Sequence, residues 1–310
     1  MTEALFDNDD WASARPRLSV LVPFMRDDPL PLIASLTREA ALLDGAVELV
    51  LLDDGGGDDA LAARVQGALA ASPLPARLVR LSANQGRAKG RNSLAAHARA
   101  DRLLFLDADM LPDDRHFLGV YLDLIAREDP PVVFGGFSVN QAPDRREHAL
   151  HRRMALQSDC LPAAVRDRTP EKYIFTSNLL IRRDVFEAEA FDENFTGWGW
   201  EDVEWGIRIG RRWPISHIDN AATHLGLDTA DVLIRKYRQS VANFALVAGK
   251  HPDVISAYPS YRVARLLRRV PLLRLGRPLL ALVALAEWLP VSSRAFTLRL
   301  YRTALYADAI

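Results

Sequence analysis

The feature that most constrains this chain is an alternation: a short apolar, β-branched run, a polar turn, then a stretch with helical spacing. Residues 18–22 (LSVLV) form the first run, closed by Pro23. Leu32, Ile33, Leu36, Ala40 and Leu43 then mark one face of a helix over 29–43, which stops at Asp44-Gly45. A second run at 47–52 ends in Asp53-Asp54-Gly55-Gly56-Gly57, and a helix is predicted over 58–71. The pattern continues with a strand at 76–81, a helix at 87–100, and a strand at 102–106 ending in Asp107-Ala108-Asp109. A helix at 114–127 and a strand at 132–134 complete it. Strands apolar throughout imply a parallel sheet covered by helices on both faces, with ligands beyond the carboxyl ends of the strands.

At 310 residues, 49% of them hydrophobic, the chain can bury one large domain or a domain plus an accessory segment. Lys and Arg number 39 against 40 Asp and Glu, which excludes the basic field of a nucleic-acid binder. A lone cysteine, Cys160, excludes a disulfide framework. The start is acidic, without the apolar core of a signal peptide, and no stretch reaches the roughly 20 apolar residues of a membrane span. A soluble, cytoplasmic protein is expected. The second half is less regular, with strands predicted at 173–181 and 215–218 and helices at 201–211 and 228–248. Beyond Tyr261, Arg262, Arg265, Arg268, Arg269, Arg274 and Arg277 alternate with leucines, and 278–290 is apolar apart from Glu287.

Two of the strand-end turns are acidic. Asp107-Ala108-Asp109 either holds a hard dication, Mg²⁺ or Mn²⁺, whose remaining sites take diphosphate oxygens and water, or is a solvated turn. Asp53-Asp54 either accepts hydrogen bonds from a ribose or base, or helps cap the helix that Asp58 and Asp59 open. Arg87, Lys89 and Arg91 stand at a helix start, where phosphate is attracted, or form a solvated basic face. Residues 195–206 (FTGWGWEDVEWG) are the most unusual stretch. Trp198 and Trp200 offer faces to sugar rings, and a carboxylate beside them, Glu201, Asp202 or Glu204, suits general-base work. Core tryptophans with carboxylates at a helix start are the alternative. His224 is either structural or a metal partner of the carboxylates.

In order, LSVLVPF, VELVLLDDGGGDD, NQGRAKGRN, DRLLFLDADMLPD, TSNLLIRRDVF, FDENFTGWGWEDVEWGIRI and His224 resemble the motifs of family 2 glycosyltransferases with the GT-A fold, over residues 17–226. The latter part is similar to the carboxyl-terminal catalytic region of galactosyl- and N-acetylgalactosaminyltransferases. The resemblance implies a Rossmann-like, nucleotide-sugar-binding α/β fold with a mixed central sheet and a helical C-terminal extension. It implies that Pro23 and Asp53 contact the nucleoside with Asp54 close by, and that Arg87 and Arg91 lie near the base or diphosphate. Asp107 would meet the ribose and the metal, and Asp109 and His224 the metal, Mn²⁺ or Mg²⁺. Asp202 would be the base, Glu201 would hold sugar hydroxyls, and Asn178, Trp198 and Trp200 would line the sugar site. The first strand departs from the family, ending Pro-Phe-Met-Arg where Pro-x-Tyr-Asn is usual.

The implied organisation is an acidic segment (1–16), a catalytic domain (17–250, divided into a nucleotide-binding half at 17–127 and an acceptor half at 128–250) and a basic tail (251–310). The implied activity is metal-dependent, inverting transfer from a nucleotide-sugar, a UDP-sugar by analogy. The acceptor would be a glycan or lipid-linked hydroxyl in surface polysaccharide or glycoconjugate synthesis, with no nucleic-acid partner. A non-catalytic nucleotide-sugar or glycan binder and a sugar nucleotidyltransferase are the rival classes. The tail reads either as an amphipathic segment lying on an anionic membrane, at its inner face, or as a helical hairpin packed on the domain.

Overall fold

The computed structural model describes residues 3–40, 42–43, 45–269 and 272–310; Asp44 of the expected helix stop and the side chain of Arg274 lie outside the described residues. The strands are β1 (Glu3–Asp7), β2 (Leu18–Phe24), β3 (Val47–Asp53), β4 (Ala76–Leu81), β5 (Arg102–Leu106), β6 (Met110–Pro112), β7 (Val132–Phe134), β8 (Phe137–Ser138), β9 (Asn178–Arg182), β10 (Ile215–His217) and β11 (Ala222–His224). Eight of them form a central sheet in the order β1-β4-β3-β2-β5-β9-β7-β10, and β6-β11-β8 form a smaller sheet. From β4 to β5 the pairing is parallel, as the alternation requires. β9 runs antiparallel between β5 and β7, and β1 runs antiparallel on the edge beside β4, so the sheet is mixed.

Successive side chains of a strand point to opposite faces, so each apolar run feeds two cores. Val20, Val22, Leu49 and Leu51 meet the helices Leu30–Ala40, Asp59–Ala70 and Phe117–Arg127 on one face. Leu21, Val50 and Leu52 meet Arg87–His97 and Glu201–Gly210 on the other. Burying a side chain of this size contributes about 1.5–3 kcal/mol, so the middle of the sheet is the rigid frame from which the strand-end loops project.

Two segments differ from the sequence reading, and a third takes one of the two forms it offered. The acidic start is an ordered edge strand: Arg77 forks onto Asp7 at 2.7 Å, and the Asn8 side chain bonds the carbonyls of Leu69 and Leu74 and the amide of Ala76. The expected strand at 173–181 is confined to Asn178–Arg182, because a 3-10 turn at Pro170–Tyr173 and a loop through Thr176 occupy the rest. The tail is helical and built into the fold. Helices Leu272–Leu285 and Val291–Tyr306 pack Ala281, Ala284, Leu298 and Tyr301 against Leu233, Ile234 and Tyr237 of helix Ala230–Lys250. That is the hairpin arrangement.

Candidate active site

The loops after β2, β3 and β5, the head of helix Arg87–His97, the head of helix Glu201–Gly210 and the end of β11 meet over the carboxyl edge of the sheet. Asp54 fixes the head of helix Arg87–His97: its carboxylate accepts from the amides of Gln85 (2.7 Å) and Gly86 (3.1 Å) and from Asn84 Nδ2 (3.0 Å). Asp53 accepts from the Gly56 amide (2.9 Å) and from Arg80 Nε (3.2 Å). Gly56 is required here, since a Cβ would collide with the Met25 carbonyl. Every carboxylate oxygen of Asp53 and Asp54 therefore has a protein partner, and the pair shapes the loop walls. Pro23 sits at the carboxyl end of β2, opposite Leu52.

From that helix Arg91, almost fully buried, donates from Nη2 to Asp107 Oδ1 at 2.8 Å, while its Nε is buried without a partner. Arg87 Nη1 lies 3.7 Å from Glu201 Oε1. Burial works against the Arg87 charge, yet Glu201, Asp107, Asp202 and Asp109 together raise its proton affinity, so all four carboxylates lie within its electrostatic reach.

Antiparallel pairing of β6 with β11 sets His224 opposite Met110 and so beside Asp109. His224 Nε2 lies 3.0 Å from Asp109 Oδ2, and the Leu225 amide donates to the Asp109 carbonyl at 2.9 Å. A Cβ at Gly226 would collide with Oδ2 of Asp109, so the glycine keeps that oxygen accessible. Burial disfavours both charges, but the pairing outweighs it: the Asp109 carboxyl falls below its ordinary range and the His224 imidazole rises above its own. Asp107, expected as a further ligand, gives one oxygen to Arg91 and keeps the other unbonded among the described residues. Among the described residues no three His, Cys, Asp or Glu side chains form a metal-binding group. The donors that could hold a small dication are the Asp109 oxygen and the His224 nitrogen, 3.0 Å apart, with the second Asp107 oxygen as the further candidate.

Helix Glu201–Gly210 begins at Trp200, whose backbone is left-handed at φ 75°. The next two residues carry the acids. Asp202 accepts from Thr176 Oγ1 at 3.0 Å, and its proton affinity is raised to about 6, first by burial and then by Glu201, with Arg91 and Arg87 opposing. Glu201 is buried, and its Oε2 has no partner. A buried oxygen left unbonded beside a cleft is a natural acceptor for a sugar hydroxyl.

Two residues expected in the sugar site are placed elsewhere. Asn178 is fully buried in the sheet, accepting from Tyr121 Oη (2.6 Å) and donating to the carbonyls of Gly136 and Asn220 (2.9 Å each), so it has no polar hydrogen left to offer a ligand. The Trp200 indole donates to Tyr306 Oη at 2.9 Å and leans on Phe244, which makes it a staple between the catalytic loop and the C-terminal helix. Trp198 remains on the cleft side, half-buried, with Lys236 Nζ 5.7 Å from its ring. The sequence reading missed Asp27. Burial, then Asp109, raises its proton affinity while Lys236 and Arg87 lower it, so it lies within reach of the same charges. Its signal was another acidic turn, Asp27-Asp28, after an apolar strand. His151 was also missed; its ring lies 5.7 Å from His224, and burial and that neighbour push it down to about 4.

A mixed α/β sheet with acidic strand-end loops and an acid–imidazole pair beyond its carboxyl edge agrees with a glycosyltransferase of the GT-A fold. The model of the family described as "Glycosyl transferase family 2" matches residues 19–189, more than half of the chain, and the chain belongs to that family. The mannosyltransferase PcManGT from Pyrobaculum calidifontis, solved with GDP-Man and Mn²⁺, is 18% identical over 96% of this chain and 88% of its own, with a TM-score of 0.63. TarS residues 1–349 from S. aureus are 15% identical over 94% of this chain and 90% of theirs, with a TM-score of 0.50. The same TarS fragment with UDP-GlcNAc is 14% identical over the same shares, at 0.50. At these identities the likeness establishes the fold. No curated protein matches the chain.

Proposed function

We propose that this glycosyltransferase moves a sugar, with inversion, from a nucleotide-sugar to the hydroxyl of a glycan or lipid-linked acceptor in surface polysaccharide or glycoconjugate synthesis, assisted by Mn²⁺ or Mg²⁺. What supports the reading is Asp202, its proton affinity raised to about 6, held by Thr176 near Glu201, Arg87 and Arg91, with Arg87 also within the electrostatic reach of Asp109, the partner of His224. Asp109 and His224 would hold the dication, which when bound neutralises charge on the departing diphosphate. Arg91 fixes Asp107, whose second oxygen is free to meet the ribose. Arg87 adds a positive charge where the diphosphate departs. Thr176 orients Asp202, which takes the proton of the attacking hydroxyl. Glu201 Oε2 accepts from a sugar hydroxyl, and Trp198 provides an aromatic face. Pro23 and the Asp53-Asp54 turn wall the nucleoside side. Structural neighbours bind GDP-Man and UDP-GlcNAc, so UDP-sugars are the first donors to test.

We further read the tail as the point of contact with an anionic membrane. Leu279, Leu282 and Trp288 are 64%, 63% and 80% exposed, and Arg262, Arg265, Arg268 and Arg269 are exposed beside them in sequence. Among the described residues no helix is long and apolar enough to cross a membrane, so attachment would be interfacial. The catalytic unit is taken as 17–250, with 251–310 as an extension docked on it.

The test is a panel of nucleotide-sugars with Mn²⁺. The matching donor raises the melting temperature by mass action and is consumed when an acceptor is supplied. A panel in which no nucleotide-sugar stabilises the protein or reacts overturns the proposal.

A further inference from the structure

His151 is held beside the acid–imidazole pair by packing on two sides of its helix. Helix Ala149–Ser158 buries Leu150 and Met154 in the cluster that contains Leu233 and Ile234, and Ala155 in the one that contains Leu227 of the loop after β11. The same loop bonds the ring: the Asp228 amide donates to His151 Nδ1 at 2.7 Å. Earlier in that loop the Leu225 amide donates to the Asp109 carbonyl at 2.9 Å, so one short segment ties His151 and Asp109 into the same region. The rings of His151 and His224 meet at 66° with centroids 5.7 Å apart.

A backbone N–H can only donate. Nδ1 of His151 is therefore an acceptor without a hydrogen, and the one N–H of the neutral ring is on Nε2. An imidazole ligates a dication through a nitrogen that carries no hydrogen, and moving the hydrogen to Nδ1 would set it against the Asp228 N–H. His151 is thus a donor and not a metal ligand, although it adjoins His224. Nε2 is also open: it makes no hydrogen bond among the described residues and is not one of the covered polar atoms, and the side chain is 15% exposed. The charges nearby decide what it can serve. Asp27, Asp107 and Asp109 offer an anion only acceptors, and Lys236 is already paired with Asp228 Oδ2 at 2.6 Å. A neutral N–H beside the Asp109–His224 pair bonds an oxyanion, and the oxyanion that a dication there brings with it is a phosphate.

We propose that His151 binds the diphosphate of the nucleotide, donating from Nε2 to a phosphate oxygen, and that the dication is held without it. This rests on the glycosyl-transfer reading and adds a phosphate-binding residue to it.

The experiment titrates UDP and GDP into the full chain with Mn²⁺ by calorimetry, for the wild type, His151→Phe and His151→Gln. Phe fills the place of the ring without a donor, and Gln offers an amide N–H near the position of Nε2. With whichever nucleotide binds the wild type more tightly, His151→Phe weakens binding at least about tenfold, and His151→Gln stays within about threefold of the wild type. Raising Mn²⁺ about tenfold leaves the loss in place, because the missing bond is to phosphate and not to the metal. Melting temperature reports whether each variant is folded. On the wild type alone, imidazole ¹⁵N spectra with Mg²⁺ show an Nε2–H ring whose resonance moves when the nucleotide is added. A folded His151→Phe with wild-type affinity overturns the proposal, as does rescue of its affinity by added Mn²⁺, which makes His151 a metal ligand. A folded His151→Gln as weak as His151→Phe overturns it too, since the ring then acts through packing, and so do ¹⁵N spectra in which no Nε2–H ring responds. A wild type that binds neither UDP nor GDP overturns the glycosyl-transfer reading, and this proposal with it.

Discussion

Replacing Asp202 by Asn tests the centre of the chemistry. Asn keeps the size of the side chain and an oxygen to accept from Thr176, but it cannot take a proton. General bases contribute roughly 10²–10⁴-fold, equivalent to about 3–5 kcal/mol of barrier, and transfer falls by that factor. Nucleotide affinity, measured by calorimetry with Mn²⁺, stays within about threefold. The wild type loses activity as pH falls through about 6, because Asp202 must be ionised to act; bound dication moves that limb lower. Stability moves in the opposite sense. The carboxyl titrates at about 6 in the fold against an ordinary 3.8, so the stability of the protonated form is present below about pH 4 and is lost as pH rises through 6. Two units correspond to at most about 3 kcal/mol, less in a cleft open to water. Asp202→Asn therefore melts higher than the wild type at pH 7.5, and the difference disappears near pH 4. Normal turnover by the Asn variant, or a melting advantage independent of pH, would refute the reasoning.

Asp109→Ala weakens nucleotide binding at least about tenfold in Mn²⁺ but leaves affinity in EDTA unchanged; calorimetry in the two buffers checks this. Asn178→Ala removes the acceptor of the Tyr121 hydroxyl and strands the Asn220 carbonyl in the core, costing about 2–3 kcal/mol, and chemical denaturation reads the loss. Liposomes containing anionic lipid pull down the wild type, and the double substitution Leu282→Ser with Trp288→Ser releases it; equal partitioning of both proteins dismisses the membrane reading.

The parallel core was legible because β2, β3, β4 and β5 are apolar runs closed by turn residues, and the period of such runs survives tertiary packing. Asp109 and Asp202 stood out in the sequence as candidates because acids at strand and helix ends lie where ligands bind, and the structure sets His224 beside Asp109. Hydrogen bonds between distant segments were not legible. Nothing local distinguishes Asp54, which fastens the 84–86 loop, from a carboxylate facing a nucleoside. Nor does Trp200 announce that its indole bonds Tyr306 and not a sugar. The edge strand Glu3–Asp7 is too short and charged to show a period, and it forms because β4 offers an unpaired edge.

The bond between Trp200 and Tyr306 joins residues 106 positions apart, and Tyr306 is also stacked on Phe244 at 4.2 Å. Trp200 in turn adjoins the two acids at the mouth of the reaction cleft. The final helix is therefore tied through the Tyr306 hydroxyl to Trp200, at the start of helix Glu201–Gly210, and to Ser240 on helix Ala230–Lys250, so that a cut ahead of it would loosen the turn that leads into Glu201 and Asp202.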